Sequence, residues 1–249
     1  LFSSMSSPRV WFITGASSGF GYHLTNHVLS QGDIVVTTMR NPSSAKFFFS
    51  PSNSESESKY TDSETNKLLV LKLDVTNPVE ITDAFRKAKE KYGRIDIVFN
   101  NAGVSMLGEF ESTPEEKARA LFETNFWGAS NVTSEAVKAF RENSPPGGRL
   151  LQNTSSSALT SSPGFSFYSA SKAALESISE ALSQELDPAW NIKAFNLLPS
   201  FATPLTISTT DNNHRSRTIQ HSYALFSPDL PSLPIPPILH QPSHRCSFS

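Results

Sequence analysis

Tyr168 and Lys172 stand four residues apart in the stretch YSASK, and in a helix that spacing puts both side chains on one face. Such a pair can move a proton. A free phenol titrates near 10, too high to exchange protons readily at neutral pH, unless a neighbouring cation stabilises the phenolate. Lys172 is one turn away. Leu175, Ile178, Leu182 and Leu186 recur behind the pair at helical spacing, so the run also reads as an ordinary amphipathic helix with that stripe in the core. What upstream residues stand with the pair decides between the two readings.

The first such partner is TGASSGFG at 14–21, which follows the apolar run at 10–13 and precedes Leu24, Val28 and Leu29 at helical spacing. This is strand, glycine-rich turn, helix. Gly15, Gly19 and Gly21 let the backbone turn sharply and come close to a diphosphate, whose charge is favoured at the helix N-terminus. A second strand at 33–40 ends on Thr38, Met39 and Arg40. An acidic residue there would bind the ribose hydroxyls of NAD, whereas the fixed donor fork of an arginine suits the 2′-phosphate of NADP. The plainer reading is a solvent-facing arginine in a turn. No second basic residue in the glycine turn adds to the case.

To position these residues the chain must alternate strands and helices. Apolar runs at 68–73, 95–99, 149–154 and 190–198 read as strands three to six, the third ending at Asp74 and Val75 and the fourth at NNAG, 100–103. Helical periodicity spans 78–92, with Pro78 tolerated in the first turn, and a long stretch from 114 to 141. Asn125 sits inside the latter, where a mediocre helix former needs a reason; a satisfied buried amide is one. The expected architecture is α/β, a Rossmann-type doubly wound parallel sheet in one domain. Residues 41–66, rich in Ser, Asn, Pro and Glu with phenylalanines at 47–49, read as a mobile insertion.

The 249 residues carry a formal charge of -2 and one cysteine, Cys246. That balance provides no basic field for nucleic acid or an anionic membrane, and no apolar run reaches the roughly 18 residues of a membrane span. The N-terminal stretch lacks a charged n-region and a long apolar core, so no signal peptide is expected, and the chain reads as cytoplasmic. His214, His221, His240, His244 and Cys246 are spaced too irregularly for a metal site, and none is expected.

With TGASSGFG, NNAG, Asn125, Ser155 and YSASK in one order and spacing, the chain resembles the short-chain dehydrogenase/reductase family over about residues 8–205. That resemblance implies a catalytic set of Asn125, Ser155, Tyr168 and Lys172. Tyr168 would be the general acid/base on the substrate oxygen and Ser155 its hydrogen-bonding partner, with Ser156 and Ser157 as alternatives if the turn is shifted. Lys172 would bind the nicotinamide-ribose hydroxyls and lower the tyrosine pKa, and Asn125 would hold a relay water. Gly15, Ser18, Gly19, Phe20 and Gly21 would surround the diphosphate, Asp74 and Val75 the adenine, and Asn101, Ala102 and Gly103 the adenosine-ribose side. Thr203 would touch the carboxamide. The family has Pro-Gly after the sixth strand where this chain has Pro199 and Ser200, beside the expected nicotinamide position.

The implied activity interconverts an alcohol and a ketone or aldehyde, with NADP(H) favoured over NAD(H) on account of Arg40. The stretches at 38–42 and 187–192 resemble fungal and retinol or steroid dehydrogenase-like members. A homodimer through the two long helices is the implied assembly. From about Ile207 the chain turns rich in Ser, Pro and His, so 206–249 reads as a divergent tail with the last strand and substrate loop missing or irregular. That tail motivates the second reading, a catalytically impaired cofactor-binding protein or truncated product.

Overall fold

Val10–Ile13 forms β1, and the alternation of its side chains divides the core in two. Val10 and Phe12 point into one apolar cluster and Ile13 into the other, all at most 2 % exposed, as the two-residue period of a strand requires. The computed structural model describes residues 7–45 and 66–200, with the strand backbones at 203–210 and 216–220. Most of the expected insertion, including the phenylalanines at 47–49, lies outside the described residues, and its first residues form a single 3-10 turn, Pro42–Ala45.

After β1 come α1 (Gly19–Ser30), β2 (Ile34–Met39), β3 (Leu68–Lys72), α2 (Pro78–Tyr92), β4 (Ile97–Asn100) and α3 (Glu115–Phe122). There follow α4 (Ala129–Arg141), β5 (Gly148–Asn153), α5 (Ser166–Glu185), β6 (Ile192–Ser200), β7 (Thr203–Thr210) and β8 (Ser216–Gln220). The sheet order is β3-β2-β1-β4-β5-β6-β7-β8, and the six strands from β3 to β6 are parallel. This is the doubly wound Rossmann-type sheet. Because the chain winds outward from β1 to β3 and then crosses to β4, a crevice opens above the carboxyl ends of β1 and β4, where such sheets bind ligands.

Local signals explain the helix ends. Asn77 Oδ1 accepts from the backbone N–H groups of Val79 and Glu80 ahead of Pro78, and Gly93 closes α2 in the left-handed region. Phe85 of α2 then stacks on Phe12 with ring centroids 4.2 Å apart. The long stretch expected from 114 is helical from Glu115 to Arg141 but not uniform: a π-helical turn, Glu123–Gly128, separates α3 from α4.

The chain beyond 203 differs from the expected irregular tail in one respect. β7 pairs antiparallel with β6, and β8 antiparallel with β7. A parallel continuation would need a long crossover, whereas the short connection from Ser200 to Thr203 permits only antiparallel return onto the open edge of β6. The β-branched sequence TPLTISTT suits that role. The remainder of the tail lies outside the described residues.

Candidate active site

The turn after β1 is built by close backbone approach. Gly15 has φ +64, and a Cβ there would come within 2.8 Å of Ala102 Cα. At Gly21 a Cβ would meet Asn101 Nδ2 and the Gly15 carbonyl, each at 2.7 Å. Neither position has room for a side chain. Ser18 caps α1 without a side-chain hydrogen bond, and the first turn of that helix carries no acidic residue. Its N–H groups therefore face the crevice with no built-in counter-charge. Gly19 and the 37 % exposed Phe20 begin the same helix.

Thr14 and Asn153, to which the motifs assign no role, help hold this turn to its neighbours. Thr14 Oγ1, fully buried, accepts from the backbone N–H groups of Asn101 and Ala102, both at 2.9 Å. Asn101 Nδ2 donates to the carbonyls of Thr14 and Gly15, while its Oδ1 accepts from Asn153 Nδ2 at 2.9 Å. The ends of β1, β4 and β5 are thus one hydrogen-bonded unit. The available signal was an asparagine or threonine at the end of each strand, since short polar side chains there can reach the backbone of neighbouring strand ends. Thr14→Val should lower stability by about 1–3 kcal/mol, because two buried N–H groups lose their acceptor. Urea unfolding of the variant checks this.

Lys172 and Tyr168 share a face of α5, with Lys172 Nζ 6.0 Å from the Tyr168 ring centroid. The lysine is only 4 % exposed and donates to the Asn153 carbonyl at 2.7 Å. Burial pushes its pKa down to about 8. A Cβ on Gly103 would lie 3.3 Å from that Nζ and 3.2 Å from Asn125 Oδ1, so this glycine keeps open the space between them.

Asn125 finds its reason in the π turn. Its Oδ1 accepts from Val104 N and its Nδ2 donates to Val104 O, both at 2.8 Å, and Nδ2 also reaches Ser171 Oγ at 3.1 Å. The carboxamide clamps the loop after β4 onto α5. Ser155, 5 % exposed at the end of β5, accepts from the Ser157 backbone N–H at 3.1 Å. Acting as acceptor leaves its own O–H proton to donate. Ser156 and Ser157 lie half-buried in the 3-10 turn that Ser155 caps.

Arg40 is exposed just beyond β2, and Asp74 follows β3. The Thr76 backbone N–H holds the Asp74 carboxyl below its usual range against partial burial, helped by the Thr76 hydroxyl and the charges of Arg40 and Lys72. Val75, 4 % exposed, packs so closely on Gly128 that a Cβ there would meet its carbonyl at 2.8 Å. Pro199 is half-buried within β6, and Thr203 begins β7, paired with Ser200 across a register shift. All these positions lie at the carboxyl edge of the parallel strands. Among the described residues no cluster of His, Cys, Asp or Glu could hold a metal ion, and the histidines and cysteine of the tail lie outside them. No helix of the described residues is long and apolar enough to cross a membrane.

The cradle fits a dinucleotide: glycines where a side chain would fill the space, an unneutralised helix N-terminus, and an arginine beyond the second strand. The short chain dehydrogenase family model matches residues 9–214. The chain is 37% identical over 233 residues to oxidoreductase calM of Penicillium decumbens, covering 92% of this chain and 71% of that protein. It is 42% identical over 180 residues to an uncharacterised oxidoreductase of Schizosaccharomyces pombe, covering 72% of this chain but only 56% of the relative. A crystal structure of 3-ketoacyl-(acyl-carrier-protein) reductase from Brucella melitensis complexed with NADH superposes with a TM-score of 0.67 at 26% identity, covering 77% of this chain and 75% of that one. With its glycine cradle, its Tyr168–Lys172 face and a match over most of its length, the chain belongs to the short-chain dehydrogenase family.

Proposed function

We propose that the protein is an NADP(H)-dependent oxidoreductase that interconverts an alcohol and a ketone or aldehyde, with Tyr168 as general acid/base. The observation that carries this reading is the buried lysine. An ammonium at 4 % exposure beneath a tyrosine ring is costly to hold, and burial that lowers its pKa to about 8 marks a group kept for a task. When bound, the nicotinamide cofactor supplies or takes up the hydride.

The chain's own residues do the rest. In reduction, the Tyr168 hydroxyl gives its proton to the carbonyl oxygen as the carbon becomes an alcohol, and in oxidation it takes that proton back. Ser155 donates its remaining proton to the same oxygen. Lys172, anchored on the Asn153 carbonyl, binds the ribose beside the nicotinamide and favours the phenolate. Asn125 holds Val104 and Ser171 in register with this pair and supports the relay water with its remaining acceptor capacity.

Gly15, Ser18, Gly19, Phe20 and Gly21 would hold the diphosphate, Asp74 and Val75 the adenine, and Asn101, Ala102 and Gly103 the adjacent ribose. Pro199 and Thr203 would flank the nicotinamide. In the same reading, residues 8–205 are the cofactor-binding domain, the protein works in the cytoplasm, and a homodimer forms through the two long helices. Light scattering of the purified chain tests the dimer.

Cofactor choice falls to Arg40. Its guanidinium, exposed at the end of β2 and close enough to influence Asp74, suits a 2′-phosphate. Arg40→Ala should narrow the preference for NADPH over NADH by roughly 1.5–3 kcal/mol, about 10- to 150-fold in relative Kd. Titration of both cofactors by fluorescence decides it: equal affinities in the unaltered protein would defeat the assignment. Turnover of NADPH against a panel of aldehydes and ketones tests the activity itself.

A further inference from the structure

The loops beside Tyr168 carry more exposed apolar surface than a catalytic set needs. Val104, Leu107, Phe110 and Leu159 are 40, 72, 70 and 72 % exposed. Each is tied to the site. Asn125 clamps both backbone groups of Val104. The Gly108 N–H donates to the Gly164 carbonyl at 2.9 Å, joining the loop after β4 to the one before α5. Leu107 fills the space at Gly164, where an added Cβ would meet its Cδ1 at 2.7 Å. Phe110 stacks on Phe167 at 5.3 Å, and Phe165 meets the Tyr168 ring edge-on at 6.0 Å. Leu159 ends the 3-10 turn that Ser155 caps. The apolar side chains thus sit on the segments that carry or contact Tyr168 and Ser155.

Charge on those segments is sparse. Between Arg149 and Lys172 the chain has no charged residue, and from 101 to 113 only Glu109 and Glu111, on either side of Phe110. Within these two described segments a phosphate or carboxylate on the substrate would find no cation apart from Lys172, and would meet two carboxylates beside Phe110.

We propose that this face takes a neutral, lipophilic substrate: an extended hydrocarbon with a single ketone or alcohol, whose tail lies along Val104, Leu107, Leu159 and Phe110 while its oxygen meets Tyr168 and Ser155. The proposal rests on the oxidoreductase reading for the reacting end, but the apolar wall can be tested apart from it. A fully buried methylene is worth about fourfold and one on a half-open wall about twofold, so kcat/KM should rise on the order of fiftyfold from butan-2-one to decan-2-one.

The experiment uses the full chain with NADPH and the methyl ketones from butan-2-one to decan-2-one, with dihydroxyacetone and 9-oxodecanoate for comparison. A parallel calorimetric titration measures binding of decan-2-ol. Leu107→Asn with Leu159→Asn, at positions exposed enough to accept the change, should shrink the chain-length gain at least fivefold or so. It should weaken decan-2-ol binding by a similar factor. A rising series that flattens in the double variant supports the proposal. If no ketone is turned over but decan-2-ol binds and the variant weakens it, the lipophilic face stands and the oxidoreductase reading falls. A flat series, a preference for dihydroxyacetone or 9-oxodecanoate, or neither turnover nor decan-2-ol binding overturns the proposal.

Discussion

Tyr168→Phe should lower kcat by about 10²- to 10⁴-fold while leaving cofactor affinity within about threefold. The change removes one oxygen and almost no volume from a half-buried ring whose edge contact with Phe165 does not depend on the hydroxyl. Lys172 keeps its hydrogen bond to the Asn153 carbonyl, so the cofactor side of the site should survive. The loss then falls on proton transfer. Steady-state kinetics beside a fluorescence titration of NADPH separate the two, and a variant with near-normal kcat would remove Tyr168 from the chemistry.

Lys172→Met should do two opposite things. Turnover should fall at least about 10²-fold, because the charge beside the phenol, which the proposed proton transfer uses, is gone. Stability without cofactor should rise. Burial has moved the lysine from 10.5 to about 8, so between those values the unfolded chain binds more protons than the native one. Native stability therefore climbs as pH rises through that window, and below about 8 the full penalty, about 3 kcal/mol, is present. Methionine removes the penalty but leaves the Asn153 carbonyl without its donor, for a net gain of about 1–3 kcal/mol at pH 7. The advantage should narrow between pH 8 and 10.5. Urea unfolding at pH 7 and pH 10 provides the measurement; a variant less stable at both would show that the ammonium is better solvated than its burial implies.

The two variants probe features of different legibility. Strands and helices could be read from the chain because their signals are local: an apolar run before a glycine turn, Pro78 behind a capping Asn77, a leucine stripe behind Tyr168. Boundaries shifted by only a residue or two. Ile95 is fully buried yet precedes β4, and Trp190 falls in a 3-10 turn before β6. The strand at 203–210 escaped notice because its threonines and serines lack a hydrophobic signal, and what recruits it is the unpaired edge of β6. Asn125 could be marked as out of place in a helix, but the π turn around it could not be foreseen.

Residue types and spacing marked the order of strands and helices and the glycine turn before α1, and the family resemblance they carry supplied the candidate side chains for the chemistry. These depend on covalent spacing and on periodicity along a single segment. The tertiary structure decided what those residues touch. It buried Lys172 and lowered its pKa, turned the Asn125 carboxamide onto Val104 and Ser171, and joined Thr14, Asn101 and Asn153 across three strand ends. It also laid Leu107 and Phe110 against Gly164 and Phe167, more than fifty residues away in the chain. Desolvation and hydrogen-bond partnership depend on which distant segments meet, and that is settled only when the sheet closes its order.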